Sequence, residues 1–214
     1  LRTPLTVILG YSDMLSRWGR EDKSILDEGI TSIRSEAENM QQLIEKLLFL
    51  ARADQKRQAV NKEEVDLAEL LADTIEKMQT VTPSHEVTLG RNDPAMVEAD
   101  PVLLRQLLRI FLENSLKYTP PGGHIHAYSV LTAGGTMIAV TLSDDGIGIA
   151  PEHQSRIFDR FYRVDSSRAK ETGGSGLGLS IARWIAEQHG IKITLKSAVD
   201  EGTTIMLSIP TIRE

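Results

Sequence analysis

The chain has 214 residues, a formal net charge of −6 and no cysteine. It is long enough for one large or two small domains, and the lack of cysteine excludes a disulfide framework and a thiolate zinc site. No stretch approaches the roughly 18 apolar residues of a membrane-spanning helix, no signal peptide is visible, and no basic patch indicates a nucleic-acid partner.

Residues 1–57 are predicted to form a helical hairpin, because apolar residues recur at helical spacing in two segments. In the second segment the gaps between apolar residues alternate between four and three, which is a coiled-coil heptad; these residues are Leu26, Ile30, Ile33, Ala37, Met40, Ile44, Leu47 and Ala51. A hairpin this short cannot bury all of its apolar stripes. We expect two copies to pair as a dimeric four-helix bundle, the alternative being packing against the chain's own second domain.

Residues 58–64 are polar and are interpreted as a linker, and residues 65–214 as a second domain in which helices alternate with strands. The predicted helices are 67–79, capped by Asp66, then 103–117 and 177–188. The predicted strands are 86–89, 95–99, 124–132, 137–142, 191–197 and 203–209. The whole chain is therefore expected to be α+β, a helical hairpin followed by a two-layer α/β sandwich.

The segment 173–179 is the most informative motif, with four glycines in six residues leading directly into an amphipathic helix. A helix N-terminus offers unpaired N–H groups and a partial positive charge, and glycine lets the backbone close around an anion. The segment therefore suits a phosphate group. The alternative is an ordinary surface loop.

Two further motifs carry polar residues beside apolar runs. Asp144 ends an apolar strand and is followed by Gly146 and Gly148, so its carboxylate could accept the exocyclic amine of adenine; a plain turn is the alternative. Asn114 lies beside the apolar face of a helix, where it could be a satisfied core amide or an oxygen ligand for Mg²⁺. Lys117, one turn later, could reach a phosphate.

These motifs, taken together, resemble the catalytic core of a bacterial sensor histidine kinase, whose ATP domain is shared with gyrase, chaperone and mismatch-repair ATPases. The resemblance covers essentially the whole chain and rests on six segments in the family's order. They are similar to the end of the phosphoacceptor box (1–6), the asparagine box (114–120), the first glycine box (144–148), the phenylalanine box (157–163), the second glycine box (174–179) and the last glycine box (201–204).

The chain departs from the family pattern at two places. The family's phosphoacceptor box reads His-Glu-Leu-Arg-Thr-Pro-Leu, and this sequence begins at its first Leu, so the phosphoacceptor His is expected two residues before Leu1. We interpret the sequence as trimmed at that point. Ile110 stands where many relatives carry a second asparagine, which leaves Asn114 as the main side-chain ligand for a metal.

The resemblance implies that the γ-phosphate of ATP passes to that His and then to an aspartate of a response-regulator receiver domain. Asn114 would hold Mg²⁺, Lys117 would reach the phosphates and Tyr118 would pack beside the nucleotide. Asp144 would read the adenine amine, with Thr203 helping through its hydroxyl or through a water molecule. Thr3 resembles the position that orients a water molecule in the phosphatase reaction. The remaining expected nucleotide contacts are Gly146, Gly148, Arg160, Gly174, Gly176, Leu177 and Gly178.

The polar segment 164–172 is expected to be a lid that orders over ATP, with Phe158 and Phe161 anchored in the core and Arg160 or Arg163 near the phosphates; a solvated loop is the alternative. The fragment is expected to be cytoplasmic, without nucleic-acid or membrane contact, although relatives often carry a membrane-embedded sensor before this region. Three other functions stay open: a clamp ATPase of the gyrase kind, a catalytically silent ATP-binding dimerisation module, and a phosphatase-biased bifunctional sensor.

Overall fold

The structure, a computed structural model, describes residues 2–18, 22–82, 84–164 and 174–212; the side chains of Arg2, Thr3 and Val81 lie outside the description. The chain divides into two compact units, Leu1–Gln58 and Ala59–Glu214. Among the described residues, no helix is both long and apolar enough to cross a membrane.

The first unit is a hairpin of two helices, α1 (Arg2–Trp18) and α2 (Lys23–Asp54), as predicted. Asp22 begins α2, because its carboxylate accepts hydrogen bonds from the backbone N–H groups of Ser24 and Ile25 and so satisfies two otherwise unpaired donors. The two helices approach closely at Gly29. A Cβ at this position would lie 2.6 Å from Cδ2 of Leu15, so a larger residue here would require the Leu15 side chain to move.

The heptad residues of α2 are left largely uncovered by α1. Leu26, Ile30 and Ile44 are 36%, 52% and 43% exposed, and Ile33 and Met40 are only half-buried. An apolar stripe of this kind is costly in water, at about 25 cal/mol per Å² of apolar surface. The hairpin therefore presents a surface that a second helical hairpin would cover.

The second unit is built on a five-stranded sheet in the order β2-β4-β5-β7-β6. Its strands are β2 (Glu86–Asn92), β4 (His124–Leu131), β5 (Met137–Asp144), β6 (Lys192–Ser197) and β7 (Thr203–Pro210). The β2 and β4 strands are parallel, and all other neighbours are antiparallel. Burial alternates along β4 and along the first half of β5, so one face of the sheet is apolar.

A separate antiparallel ribbon joins β1 (Glu63–Asp66) to β3 (Met96–Ala99). Its first strand begins inside the segment 58–64 that was predicted as a linker. Val65 is the only apolar residue of β1, so the strand has no alternating pattern that sequence could reveal; pairing with Val97 holds it in place.

Within the described residues of this unit there are four helices: α3 (Leu67–Val81), α4 (Pro101–Tyr118), α5 (Pro151–Gln154) and α6 (Gly178–Gln188). Asp66 caps α3 as predicted, and Asp100 caps α4 through the N–H groups of Val102 and Leu103. The apolar side of α4 is fully buried between α3, α6 and the sheet. The α+β prediction of a hairpin followed by a two-layer sandwich is confirmed, whereas the short α5 was not predicted.

His189, at the end of α6, is a buried histidine held in its neutral form. Its Nδ1 lies 2.7 Å from the carbonyl oxygen of Ile185 and must donate, while Nε2 accepts from the N–H of Asp100 at 3.0 Å. Only a neutral imidazole can do both. Burial, helped by the nearby Lys62 ammonium, lowers the pKa of His189, against the raising effects of Ile185 and Asp100.

We predict that His189 makes the fold less stable in mild acid. Since its pKa is lower in the folded chain than the ordinary 6.5, the unfolded chain binds the proton more readily, and stability is lost as the pH falls through 6.5. Urea unfolding at about pH 7.5 and about pH 5.5 should show a larger loss in the wild type than in a His189→Gln variant. Equal losses in the two proteins would contradict this role.

Candidate functional site

The centre of the site is the carboxylate of Asp144, at the end of β5. Its Oδ1 accepts hydrogen bonds from the N–H groups of Gly146 and Thr203, each at 3.1 Å, and its Oδ2 accepts from the hydroxyl of Ser115 at 2.7 Å. Partial burial raises the pKa of Asp144, although the three hydrogen bonds favour the ionised form and limit the rise; the neighbouring charge of Asp145 adds to it. A carboxylate that is oriented by several hydrogen bonds and whose pKa is raised by burial is typical of a functional site.

The loop after Asp144 packs directly on the turn before β7. A Cβ on Gly148, whose φ is +66°, would lie 1.8 Å from the carbonyl oxygen of Ala198. Glycine is therefore required here for backbone packing as well as for its left-handed conformation. The expected role of Gly148 as a ligand contact stays a prediction, because this packing alone explains the residue.

Thr203 contacts Asp144 through its backbone, and the expected contact of its hydroxyl with the ligand stays a prediction. Its backbone N–H donates to Asp144, whereas its Oγ1 lies 2.9 Å from Oγ of Ser197. The Ser197 hydroxyl donates to the carbonyl oxygen of Gly202 and accepts from the N–H of Ile149. The hydroxyl of Thr203 is thus part of a hydrogen-bond network, centred on Ser197, that links the loop after the first glycine box to the last glycine box.

The helix α4 brings the asparagine box to the same place. Asn114 is half-buried, and within the described residues its side-chain amide makes no hydrogen bond. The ammonium of Lys117 lies 5.0 Å from the ring centroid of Tyr118, and a Cβ on Gly174 would be 2.6 Å from it. The structure thus places the lysine of the asparagine box against the second glycine box.

A buried hydroxyl, that of Thr119, lies directly after α4. Thr119 is 4% exposed, and its Oγ1 makes no hydrogen bond within the described part of the chain. It faces Gly146, where a Cβ would lie 3.0 Å from Oγ1 and 2.9 Å from Oδ1 of Asp144. A polar atom left unpaired next to an oriented carboxylate is consistent with a site that a polar ligand completes.

The phenylalanine box is joined to the second glycine box through the backbone. The N–H of Phe161 donates to the carbonyl oxygen of Gly176 at 2.8 Å, and the Arg163 guanidinium donates to the carbonyl oxygen of Gly174 at 2.7 Å. Gly176 has φ of +68°, and a Cβ there would lie 2.8 Å from the carbonyl carbon of Phe161. These contacts hold the phenylalanine box against the second glycine box.

The expectation that Phe161 is anchored in the core is wrong. Its side chain is 61% exposed and its φ is +63°, because the backbone turns to reach Gly176; the buried anchor of this segment is Ile157, and Phe158 is half-buried. Arg160 is exposed. The predicted lid lies almost entirely outside the described residues, as does the side chain of Thr3.

The other expected contacts surround the same place. Leu177 is fully buried and begins α6, and Gly178 faces Ile110 of α4, whose Cγ2 would be 3.6 Å from a Cβ there. Within the described ranges no group of three or more His, Asp or Glu side chains could hold a metal ion. The role of Asn114 as a metal ligand stays a prediction.

Three contributors to the site were not predicted: Ser115, Thr119 and Ser197. Ser115 gave a signal, since it stands in a series of core-facing leucines where a polar side chain needs a partner. No such signal marks Ser197, because a serine at the end of a strand is common in any sheet.

Residues 99–213, more than half of the chain, match the family described as histidine kinase-, DNA gyrase B- and HSP90-like ATPase. Residues 1–56 match the His Kinase A (phospho-acceptor) domain. The two matches occur in the order of the two structural units.

Individual proteins show the same relationship. The sensor histidine kinase YkoH of Bacillus subtilis (strain 168) is 37% identical over 207 residues, which are 97% of this chain and 44% of YkoH. ArlS of Staphylococcus haemolyticus, a signal transduction histidine-protein kinase, is 36% identical over 208 residues, 97% of this chain and 46% of ArlS. The chain thus spans less than half the length of either relative.

The fold also matches a solved structure, that of histidine kinase ThkA in complex with response regulator protein TrrA. The TM-score is 0.73 at 23% identity, and the match covers 99% of this chain and 58% of that chain. The chain therefore belongs to the histidine kinase-, DNA gyrase B- and HSP90-like ATPase family, and over nearly its whole length it is similar to the corresponding part of sensor histidine kinases.

Proposed function

We propose that this core binds Mg-ATP in the site around Asp144 and passes the γ-phosphoryl group to a histidine two residues before Leu1. Residues 1–57 are the dimerisation and phosphoacceptor hairpin, 58–64 the linker and 65–214 the ATP-binding domain. The phosphoryl group then moves to an aspartate of a response-regulator receiver domain. ThkA, which has the same fold, is known in complex with a response regulator.

The observation that carries the proposal is the Asp144 carboxylate, which three protein donors orient at a half-buried position. A carboxylate can accept a hydrogen bond from the amino group of adenine, and it repels the carbonyl oxygen that other purines carry at the same place. The hydroxyl of Thr119 beside it, which has no hydrogen-bond partner in the described part of the chain, supports a polar ligand.

The phosphates are assigned to the region between α4 and the second glycine box. Lys117 lies against Gly174 and supplies a positive charge at the phosphate end, and the backbone at Gly176 begins the approach to the N-terminus of α6. Asn114, whose amide is unpaired within the described residues, would hold Mg²⁺. The metal supplies charge neutralisation at the phosphate oxygens, which is what phosphoryl transfer needs most from its site.

A clamp ATPase is less well supported, because hydrolysis in that group uses a carboxylate one turn before the metal-binding asparagine. Here that position is Ile110, a half-buried apolar residue that faces Gly178. Glu113 is adjacent to Asn114, but it is exposed and pairs with Arg109 at 2.8 Å. The residues of α4 therefore favour transfer to an acceptor over activation of water.

We predict that Asn114→Ala removes the magnesium-dependent part of nucleotide binding. Affinity for ATP should fall roughly tenfold with Mg²⁺ and stay nearly unchanged with a chelator, because an oxygen ligand of the metal is lost while the base contacts stay. Calorimetry under the two conditions measures this. Glu113→Ala, one residue earlier on the solvent side of α4, is the control and should behave as wild type. An equal loss with and without Mg²⁺ would reject Asn114 as the metal ligand.

A further inference from the structure

Ser115 has a buried hydroxyl whose one side-chain hydrogen bond, among the described residues, is to the carboxylate of Asp144. It lies on the core-facing side of α4, is 8% exposed, and donates from Oγ to Oδ2 of Asp144 at 2.7 Å. Its backbone carbonyl oxygen accepts from the N–H of Thr119. In a helix interior, a buried serine often donates back to its own helix; this one is directed across to β5 instead.

The hydrogen bonds divide the Asp144 carboxylate into two unequal halves. Oδ1 accepts two backbone N–H groups, from Gly146 and Thr203, and a carboxylate oxygen has about two acceptor positions. Oδ1 is therefore fully used by the protein. Oδ2 accepts only Ser115 among the described residues and keeps one position for a ligand donor.

We propose that Ser115 is a positioning residue for purine recognition: it occupies one lone pair of Oδ2 and directs the other toward the amino group of the base. This inference rests on the proposed nucleotide site and adds to it the residue that orients the acceptor. Without Ser115, only Oδ1 of the carboxylate is held by protein donors. Oδ2, which is partly buried, would then have no protein hydrogen-bond donor among the described residues.

The same hydrogen bond has an electrostatic consequence. Burial favours the neutral form of Asp144, and Asp145 next to it adds a like charge, although Asp145 is itself paired with His124. The Ser115 hydroxyl opposes both by stabilising the ionised form. Loss of Ser115 raises the pKa of Asp144 further, so the carboxylate becomes protonated, and stops accepting from the base, at a higher pH than in the wild type.

The test is the affinity for ADP between about pH 5.5 and about pH 8.5 for three proteins: wild type, Ser115→Ala and Ser129→Ala. Ser129 is the matched control, since it is also a buried serine whose hydroxyl donates to a side chain, in this case that of Asn92. It lies on β4 four residues beyond Ile125, the residue that pairs with Asp144, and is therefore away from the site. Protonation of ADP itself over this pH range affects all three proteins equally, so differences between the curves arise from the protein.

The expected result is that Ser115→Ala binds about tenfold more weakly near neutral pH, since hydrogen bonds to charged groups are the strong ones. Its affinity should also begin to fall at a higher pH than that of the wild type. Ser129→Ala should follow the wild-type curve. Ser115→Thr keeps the hydroxyl and should restore the wild-type curve, and thermal melting of each variant confirms that it is folded.

The outcomes separate the inference from the site on which it rests. If the wild type does not bind ADP, the nucleotide site itself is wrong. If the wild type binds and Ser115→Ala follows the same curve, only the role of Ser115 is rejected. A loss of affinity that is equal at every pH would mean that Ser115 acts through packing, and would also overturn the proposal.

Discussion

Replacing Asp144 by asparagine is expected to weaken binding of both ATP and ADP on the order of 100-fold, because a charged hydrogen bond is lost and an amide donor replaces an acceptor. The side-chain oxygen of asparagine would go to the two N–H groups of Gly146 and Thr203, which Oδ1 now satisfies. The NH₂ group would then face both Ser115 and the amino group of adenine. Calorimetry with ADP measures the loss without interference from phosphoryl transfer.

The fold should survive this substitution. Since burial raises the pKa of Asp144, the folded chain bears a cost for keeping the group ionised, and a neutral amide removes that cost. The melting temperature of Asp144→Asn is therefore expected to be no lower than that of the wild type. A protein that is equally stable and has lost its nucleotide affinity would be typical of a residue kept for function.

Asp145→Asn provides a control one residue away. The Asp145 carboxylate points toward β4, where it accepts from the N–H and from Nδ1 of His124, both at 2.8 Å. This pair lowers the pKa of Asp145, chiefly through the hydrogen bond from the His124 ring. The variant should keep ADP affinity within about twofold. If Asp145→Asn bound ADP more weakly than Asp144→Asn, Asp145 would be the residue that contacts the base, and the assignment of the site to Asp144 would be wrong.

The second large effect is expected in the hairpin. Replacing Ile30 and Ile44 together by glutamate should convert a dimer to a monomer, because each charge buried without a partner in the interface costs several kcal/mol and the symmetry of a dimer doubles the cost. Both residues lie on the heptad stripe of α2 and are about half exposed in the single chain. Light scattering over a range of concentrations reports the change.

The control adds the same two charges on the opposite side of the helix. Ser35 and Gln42 are exposed and lie seven residues apart, two positions beyond Ile33 and Met40 of the stripe. Ser35→Glu with Gln42→Glu should leave the dimer intact. A wild-type chain that is monomeric at high concentration, or equal dissociation of both double variants, would mean that the stripe is not the dimer interface.

The fold was predictable from the sequence because its signals are local. Helix caps such as Asp66 and the 3–4 spacing in α2 are determined by residues close together in the chain, and they appear in the structure as expected. The strand β1 was missed because its four residues are held by pairing with β3, some 30 residues away, and carry little hydrophobic pattern of their own. Long-range pairing of this kind leaves no local signal.

Only part of the site was predictable from the sequence, and there is a physical reason why some of its residues could be recognised and others could not. The glycines and Asp144 could be recognised because their backbone and charge requirements restrict the residue type. The exposure of Phe161 could not, since it depends on a hydrogen bond from its own backbone to Gly176. Likewise, the hydroxyl of Thr203 turns to Ser197 only because β6 and β7 are neighbours in the sheet.

The central claim is transfer of the γ-phosphoryl group to a histidine, and labelling with radioactive ATP tests it most directly. Two polypeptides are compared: residues 1–214, and the same residues preceded by a helical turn that ends in His-Glu. Both should bind ATP. Only the second should incorporate phosphate, and its label should be lost in acid and kept in base, as expected for phosphohistidine. An acid-stable label on either polypeptide, or no label on the second despite measured ATP binding, would contradict the histidine-kinase mechanism.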